Sequence, residues 1–225
     1  EEKYMRRCIE LAKNGLCNAA PNPMVGAVIV CDGRIIGEGY HIRCGEAHAE
    51  VNAIRSVKDE SLLKRSTIYV SLEPCSHYGK TPPCADLIIE KQIPRIVIGC
   101  QDPFSQVAGR GIQKLKDAGR EVIVGVLESE CRQLIRRFIT FNTLHRPYIT
   151  LKWAESADHF IDLERTDGQP VVLSSPLTSM LVHKRRAESV AIMVGRRTAL
   201  LDNPSLTVRN WYGRNPIRVV LDRTL

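Results

Sequence analysis

The chain has 225 residues, 44% of them hydrophobic and 25% charged, and carries a formal net charge of +7 from 32 Lys plus Arg against 25 Asp plus Glu. This is the balance of a globular chain able to bury a core in one large domain or two small ones, and it excludes disordered and fibrous classes. No run of eighteen apolar residues suggests a membrane span, and the opening Glu1-Glu2-Lys3-Tyr4 lacks the apolar stretch of a secretory signal. The expectation is a cytoplasmic protein. The surplus of basic charge suits either a solvated surface or attraction of a phosphate-bearing partner, and Arg136-Arg137, Lys184-Arg185-Arg186 and Arg196-Arg197 are short clusters rather than a basic arm. The eight cysteines occupy helix, hairpin and strand-end contexts that suit reduced thiols better than a disulfide framework.

In chain order, Met5, Cys8, Ile9, Leu11 and Ala12 form a helical stripe over 4–14, stopped at Gly15, and Pro21-Asn22-Pro23 breaks the chain. Two strands, 25–30 and 34–40, flank Cys31-Asp32-Gly33, where Asp-Gly favours a tight hairpin. A helix is expected over 48–57, a central β-rich strand over 67–72, and a helix from Cys84 to Lys91. Strands at 95–99 and 121–126 enclose a helix at 111–118, which implies a parallel region joined to the antiparallel hairpin. A last helix over 128–142 closes a first domain, 1–145. Past His145-Arg146-Pro147 the pattern restarts with a strand at 148–154, a helix at 176–188, and strands at 190–194 and 218–222. That second α/β domain, 146–225, is read as an incomplete one.

The chemistry concentrates in His48-Ala49-Glu50 and Pro74-Cys75, the His-x-Glu and Pro-Cys pairing of zinc deaminases. One imidazole and two thiolates, from His48, Cys75 and Cys84, supply three ligands for zinc and leave a fourth position for water, as a catalytic site requires. Bound zinc acidifies that water to a pKa of roughly 7. Glu50, offset by two residues from His48, is then expected to move protons while water adds to an amidine-like carbon and ammonia departs. A structural zinc site would need a fourth protein ligand, for which Cys44 and His77 stand as alternatives. Eight residues separate Cys75 from Cys84 where two are usual, and Pro82-Pro83 stiffens the approach to Cys84 at a helix N-terminus. The same loop brings His77 and Lys80 beside the metal to bind a polar or anionic substrate.

Three stretches, Pro21-Asn22-Pro23-Met24-Val25-Gly26-Ala27-Val28, Gly45-Glu46-Ala47-His48-Ala49-Glu50 and Leu72-Glu73-Pro74-Cys75 through Pro82-Pro83-Cys84, resemble the bifunctional deaminase/reductase family of riboflavin biosynthesis, and Val107-Ala108-Gly109-Arg110-Gly111 fits as well. The resemblance implies a cytidine-deaminase-like α/β/α sandwich with a mixed sheet, followed by a dihydrofolate-reductase-like α/β domain. It implies deamination of 2,5-diamino-6-(5-phosphoribosylamino)pyrimidin-4-one at C2, with Asn22, His41, His77 and Lys80 binding that substrate. It further implies NADPH-dependent reduction of the ribosyl group in the full-length protein, with Ala154, Val172, Thr198 and Asp202 near NADPH and Lys152, Arg186, Leu206 and Arg209 near the substrate. NADPH binding by the present chain is not expected, since it stops before the family's glycine-rich closing segment. Self-association belongs to the same implication. His159 replaces the family's Gly in a turn, Val172 replaces an aromatic residue, and Phe104-Ser105 replaces an Asn-Pro pair beside the deaminase pocket. A nucleic-acid base deaminase is the alternative enzyme, but it predicts a short Cys-x-x-Cys and no appended reductase strand; a zinc-stabilised scaffold predicts a dispensable Glu50. No nucleic-acid or membrane partner is therefore expected.

Overall fold

The computed structural model describes residues 1–78, 82–104, 108–165 and 168–224. The chain divides into two compact units, residues 1–148 and 149–225.

In the first unit, α1 (Glu2–Lys13) leads through the Pro-rich break to β1 (Gly26–Cys31) and β2 (Arg34–Tyr40). Asp32 and Gly33 both have positive φ, 49° and 74°, the mirror-image turn whose twist matches the flanking strands. Next come α2 (Ala49–Arg55), a 3-10 turn (Glu60–Arg65), β3 (Thr67–Leu72), α3 (Cys84–Glu90), β4 (Arg95–Cys100), α4 (Arg110–Asp117) and β5 (Glu121–Val124). The sheet order is β2-β1-β3-β4-β5, antiparallel from β2 to β3 and parallel from β3 to β5. This is the mixed sheet expected from the sequence, with β3 at its centre.

The strand period of two sorts its side chains onto both faces. Ala27, Ile29, Ile68, Val70, Ile96 and Ile98 pack with Ala53 and Ile54 of α2, Ala85 and Ile88 of α3 and Leu115 of α4. Val28, Val30, Tyr69 and Val97 face the other way onto Met5 and Cys8 of α1 and Cys131 and Ile135. A sheet covered on both faces reads as near-continuous apolar runs, which is why Gly26–Cys31 and Thr67–Leu72 carry almost no charge.

Two expectations change here. The single helix expected over 128–142 is two, α5 (Glu128–Leu134) and α6 (Arg136–Leu144). Ile135 sits between them with φ −101° and ψ 18°, outside the helical region, and its side chain stays in the core. The backbone bonds Ile135 N–H to Cys131 O and Ile139 N–H to Ile135 O run through this break. The strand expected over 148–154 does not form, because its alternating pattern finds no ladder partner among the described residues.

The second unit contains α7 (Pro176–Ala187), β6 (Ala191–Gly195), α8 (Arg196–Asp202) and β7 (Ile217–Leu221). Ser175 caps α7 by accepting the Thr178 N–H, with Pro176 in the first turn where its missing donor costs nothing. β6 and β7 pair in parallel. No helix among the described residues is long and apolar enough to cross a membrane.

Candidate metal centre and pocket

The carboxyl ends of the parallel strands β3 and β4, the N-terminal end of β1 and the N-terminus of α2 meet at one end of the sheet. Ligands gather at such a place in α/β folds because strand direction changes there and loops diverge. A cavity of about 440 Å³ opens at this end, within the usual range for small-molecule sites, and it is lined by Asn22, His41, His48, Glu50, Cys75 and His77 among others.

His48 is the N-cap residue of α2, in extended conformation, so its side chain lies free of the helix while Glu50 falls in the first turn. Cys75 follows β3 by three residues, and Cys84 is the first residue of α3. One ligand atom from each of His48, Cys75 and Cys84 lies within 4.8 Å of the other two. His48 Nδ1 is 3.6 Å from Cys75 Sγ and 3.4 Å from Cys84 Sγ. The Cys84 backbone N–H donates to Cys75 Sγ at 3.2 Å, and the Ala85 N–H donates to the Cys75 carbonyl. A hydrogen bond from the Cys84 thiol, helped by the His48 ring and the Cys84 N–H, holds Cys75 towards its thiolate form, and the Cys84 thiol is correspondingly pushed up. The donor set, one imidazole nitrogen and two sulfurs in a near-closed triangle, fits a tetrahedral zinc ion with one position left over.

Glu50 is 3% exposed, and burial pushes its carboxyl up to about 7, with the Cys75 thiolate adding to the effect. A carboxyl balanced near neutral pH both takes and gives a proton readily. His41 packs edge-on against His48, ring centroids 5.3 Å apart. Its Nδ1 lies 3.1 Å from the Ala47 carbonyl, which only accepts, so Nδ1 carries the proton and Nε2 accepts from Asn22 Nδ2 at 3.1 Å. Burial lowers the His41 pKa, in keeping with a neutral ring.

Of the residues expected around the deaminase substrate, Asn22, His41 and His77 line the cavity, and Lys80 lies outside the described residues. The wall also includes groups not singled out from the sequence: Glu46, Asp102, Phe138 and Asn142. Phe138 and Asn142 stand four apart on α6, and Asn142 Nδ2 donates to the Phe138 carbonyl at 2.9 Å. An i, i+4 pair of this kind is a visible signal, but nothing in it says which way the helix faces. Phe104 lines the cavity as well.

In the second unit, Arg186 Nη1 donates to the Thr207 carbonyl, in the segment that carries Leu206 and Arg209. Burial and the nearby Arg209 guanidinium lower the Arg186 pKa. The Arg209 N–H donates to Nδ1 of buried His183 at 3.0 Å. Asp202 is held by Arg165, which also pairs with Asp162. Lys152, Val172 and Thr198 are exposed and Ala154 is half-buried, and no hydrogen bond among the described residues joins them to the Arg186 group.

Residues 1–100 match the family described as the cytidine and deoxycytidylate deaminase zinc-binding region, and residues 147–225 match the RibD C-terminal domain. The riboflavin biosynthesis protein RibD of Aquifex aeolicus is 42% identical over 100% of this chain and 62% of its own length. RibD of Escherichia coli is 43% identical over 99% of the chain and 63% of that protein. Among solved structures, a diaminohydroxyphosphoribosylaminopyrimidine deaminase/5-amino-6-(5-phosphoribosylamino)uracil reductase from Thermotoga maritima superposes with a TM-score of 0.91 at 48% identity, covering 99% of this chain and 63% of that one. RibD of Acinetobacter baumannii gives a TM-score of 0.90 at 39% identity, with the same two coverages of 99% and 63%. The chain thus spans less than two thirds of the length of these relatives. Through both of its units the chain is similar to the RibD proteins.

Proposed function

We propose that the first unit is a zinc-dependent aminohydrolase of riboflavin biosynthesis that deaminates 2,5-diamino-6-(5-phosphoribosylamino)pyrimidin-4-one at C2. The observation that carries this reading is the meeting of His48 Nδ1, Cys75 Sγ and Cys84 Sγ at a cavity that also holds the buried Glu50. The deaminase/reductase activity named for the Thermotoga maritima protein supports the choice of substrate. His48, Cys75 and Cys84 hold the zinc, which when bound supplies a water acidified to a pKa of about 7.

Glu50 accepts a proton from the attacking water and passes it to the ring nitrogen beside C2, then takes the proton of the new C2 hydroxyl and delivers it to the departing amine. The exocyclic amine is thereby exchanged for a carbonyl, and ammonia leaves. His41, kept neutral by burial and held by its two hydrogen bonds, orients the His48 ring and presents Asn22 to the pyrimidine. His77 binds the substrate from the cavity wall, and Lys80 is assigned to the same substrate by the family resemblance. In the whole protein, the second unit contributes to NADPH-dependent reduction of the ribosyl group, with Ala154, Val172, Thr198 and Asp202 toward NADPH. Lys152, Arg186, Leu206 and Arg209 face that substrate, the two guanidinium groups suiting a phosphate. The eight free cysteines suit a reducing, cytoplasmic setting.

The test is ammonia release from the diaminopyrimidine phosphate by the zinc-loaded chain and by Glu50→Gln, with zinc assayed in both. Release by the parent and none by the zinc-loaded variant supports the assignment. A folded, zinc-loaded parent that releases no ammonia refutes it.

A further inference from the structure

Glu73 stands one residue past the end of β3, is 4% exposed, and takes no part in the chemistry assigned to the pocket. Its carboxylate accepts four backbone N–H donors. Oε2 receives those of Asp102 at 3.1 Å and Gly109 at 3.0 Å, and Oε1 receives those of Gly111 at 2.9 Å and Ile112 at 3.3 Å. All four donors lie on the stretch after β4: Asp102 is its second residue, and the other three open α4. The N-cap position of α4 is Gly109, which has no side chain to accept from the first turn. Glu73 supplies the missing acceptor from another strand, and its negative charge meets the positive end of the helix.

The approach is close enough to require a glycine. A Cβ on Gly111 would stand 2.0 Å from the Pro74 carbonyl oxygen and 3.2 Å from Glu73 Oε1. The Glu73-Pro74 turn and the start of α4 are therefore locked together, and Gly109-Arg110-Gly111 acquires a physical reason. Pocket residues lie on both sides of the lock. Cys75 is two residues beyond Glu73, while Asp102, whose amide Glu73 binds, and Phe104 lie on the segment after β4. The Phe104 N–H in turn donates to Asp102 Oδ1 at 2.8 Å.

We propose that Glu73 is a positioning residue: its four-fold acceptor fixes Asp102 and Phe104 relative to Cys75 and so sets how tightly the pocket holds its substrate, without moving a proton itself. The proposal rests on the pocket being the deaminase substrate site. A carboxylate suits the task because two oxygens accept four donors at once, and charge-assisted bonds to N–H groups are stronger than neutral ones.

The experiment compares the parent chain with Glu73→Gln, which keeps the shape but replaces an acceptor oxygen by a donor, and with Gly111→Ala, which pushes α4 away from Pro74 and leaves the carboxylate intact. For both variants the KM for the diaminopyrimidine phosphate is expected to rise about tenfold or more, on the scale of a small misplacement of a binding group. Zinc content and the pH dependence of kcat should stay at parental values. In Glu73→Gln, the amides of Asp102, Gly109, Gly111 and Ile112 should exchange with solvent about tenfold faster or more, while those of β3 and β4 do not change. A fall in kcat with KM unchanged, or four amides that exchange as slowly as in the parent, overturns the proposal. Should Glu73→Gln fail to fold, Gly111→Ala carries the kinetic test alone, and an unchanged KM there overturns it. A parent that deaminates nothing would refute the assigned function instead, and amide exchange would still decide whether the lock exists.

Discussion

The two units spend their apolar residues differently. In the first, β1 is buried at all six positions and β4 at five of six, and helices cover both faces of the sheet. In the second, no residue of β6 or β7 is fully buried, and Met193 and Ile217 are each more than 60% exposed. Parallel strands are usually covered on both faces, and in this chain, which spans less than two thirds of its relatives' length, that cover is present over the first unit's sheet and not over β6 and β7. The metal-ligand triangle lies in the unit whose elements are locked by packing, and its atoms converge to within 4.8 Å. Residues assigned to the second unit's site converge only around Arg186 and Arg209. Preorganisation of a site follows from the packing beneath it.

The largest expected effect separates chemistry from fold within the first unit. Glu50→Gln should lower deamination about 10²- to 10⁴-fold, the usual worth of a general acid–base group, with zinc retained and an unchanged circular dichroism spectrum. Removing zinc with a strong chelator should abolish ammonia release and leave the far-UV spectrum of the first unit nearly intact. Its core is large enough to fold without the ion, unlike a zinc finger. Unfolding on chelation would show that the packing described above does not suffice.

The contrast between units is sharpened by a matched pair. Ile98→Ala, at a fully buried position of β4, should cost about 2–5 kcal/mol in urea unfolding. Val220→Ala on β7, where the side chain is 46% exposed, should stay within about 0.5 kcal/mol. Equal costs would mean that Val220 is covered in solution, and the comparison would break.

The smallest effect is electrostatic. Arg7 holds Glu38 through Nε at 2.7 Å and Nη2 at 3.0 Å, which lowers the Glu38 pKa. A carboxyl whose folded pKa is depressed contributes stability above its unfolded pKa and loses it as pH falls through the folded one. Because both side chains are partly exposed, Glu38→Gln should cost only a few tenths of a kcal/mol at neutral pH. The difference between parent and variant should vanish below the usual carboxylate range, as read by thermal unfolding at several pH values.

The sequence alone determined most of the first unit. The near-continuous apolar strands and the Asp32-Gly33 hairpin are local patterns whose physics acts over a few residues, and the His48, Glu50, Cys75 and Cys84 set was legible as a motif although its members stand up to 36 residues apart. Tertiary structure decided what local pattern does not encode. The break at Ile135, whose side chain is buried in the core, and the placing of Phe138 and Asn142 at the cavity wall are visible only in the folded chain. The 148–154 segment has strand-like residues but no strand, since a ladder needs a partner that periodicity does not supply. Glu73 reads in sequence only as part of a motif, because its four donors lie 29 to 39 residues away and meet it only when β3, β4 and α4 have packed. Short-range chemistry was legible one residue at a time; the contacts that position it depend on groups distant in the chain.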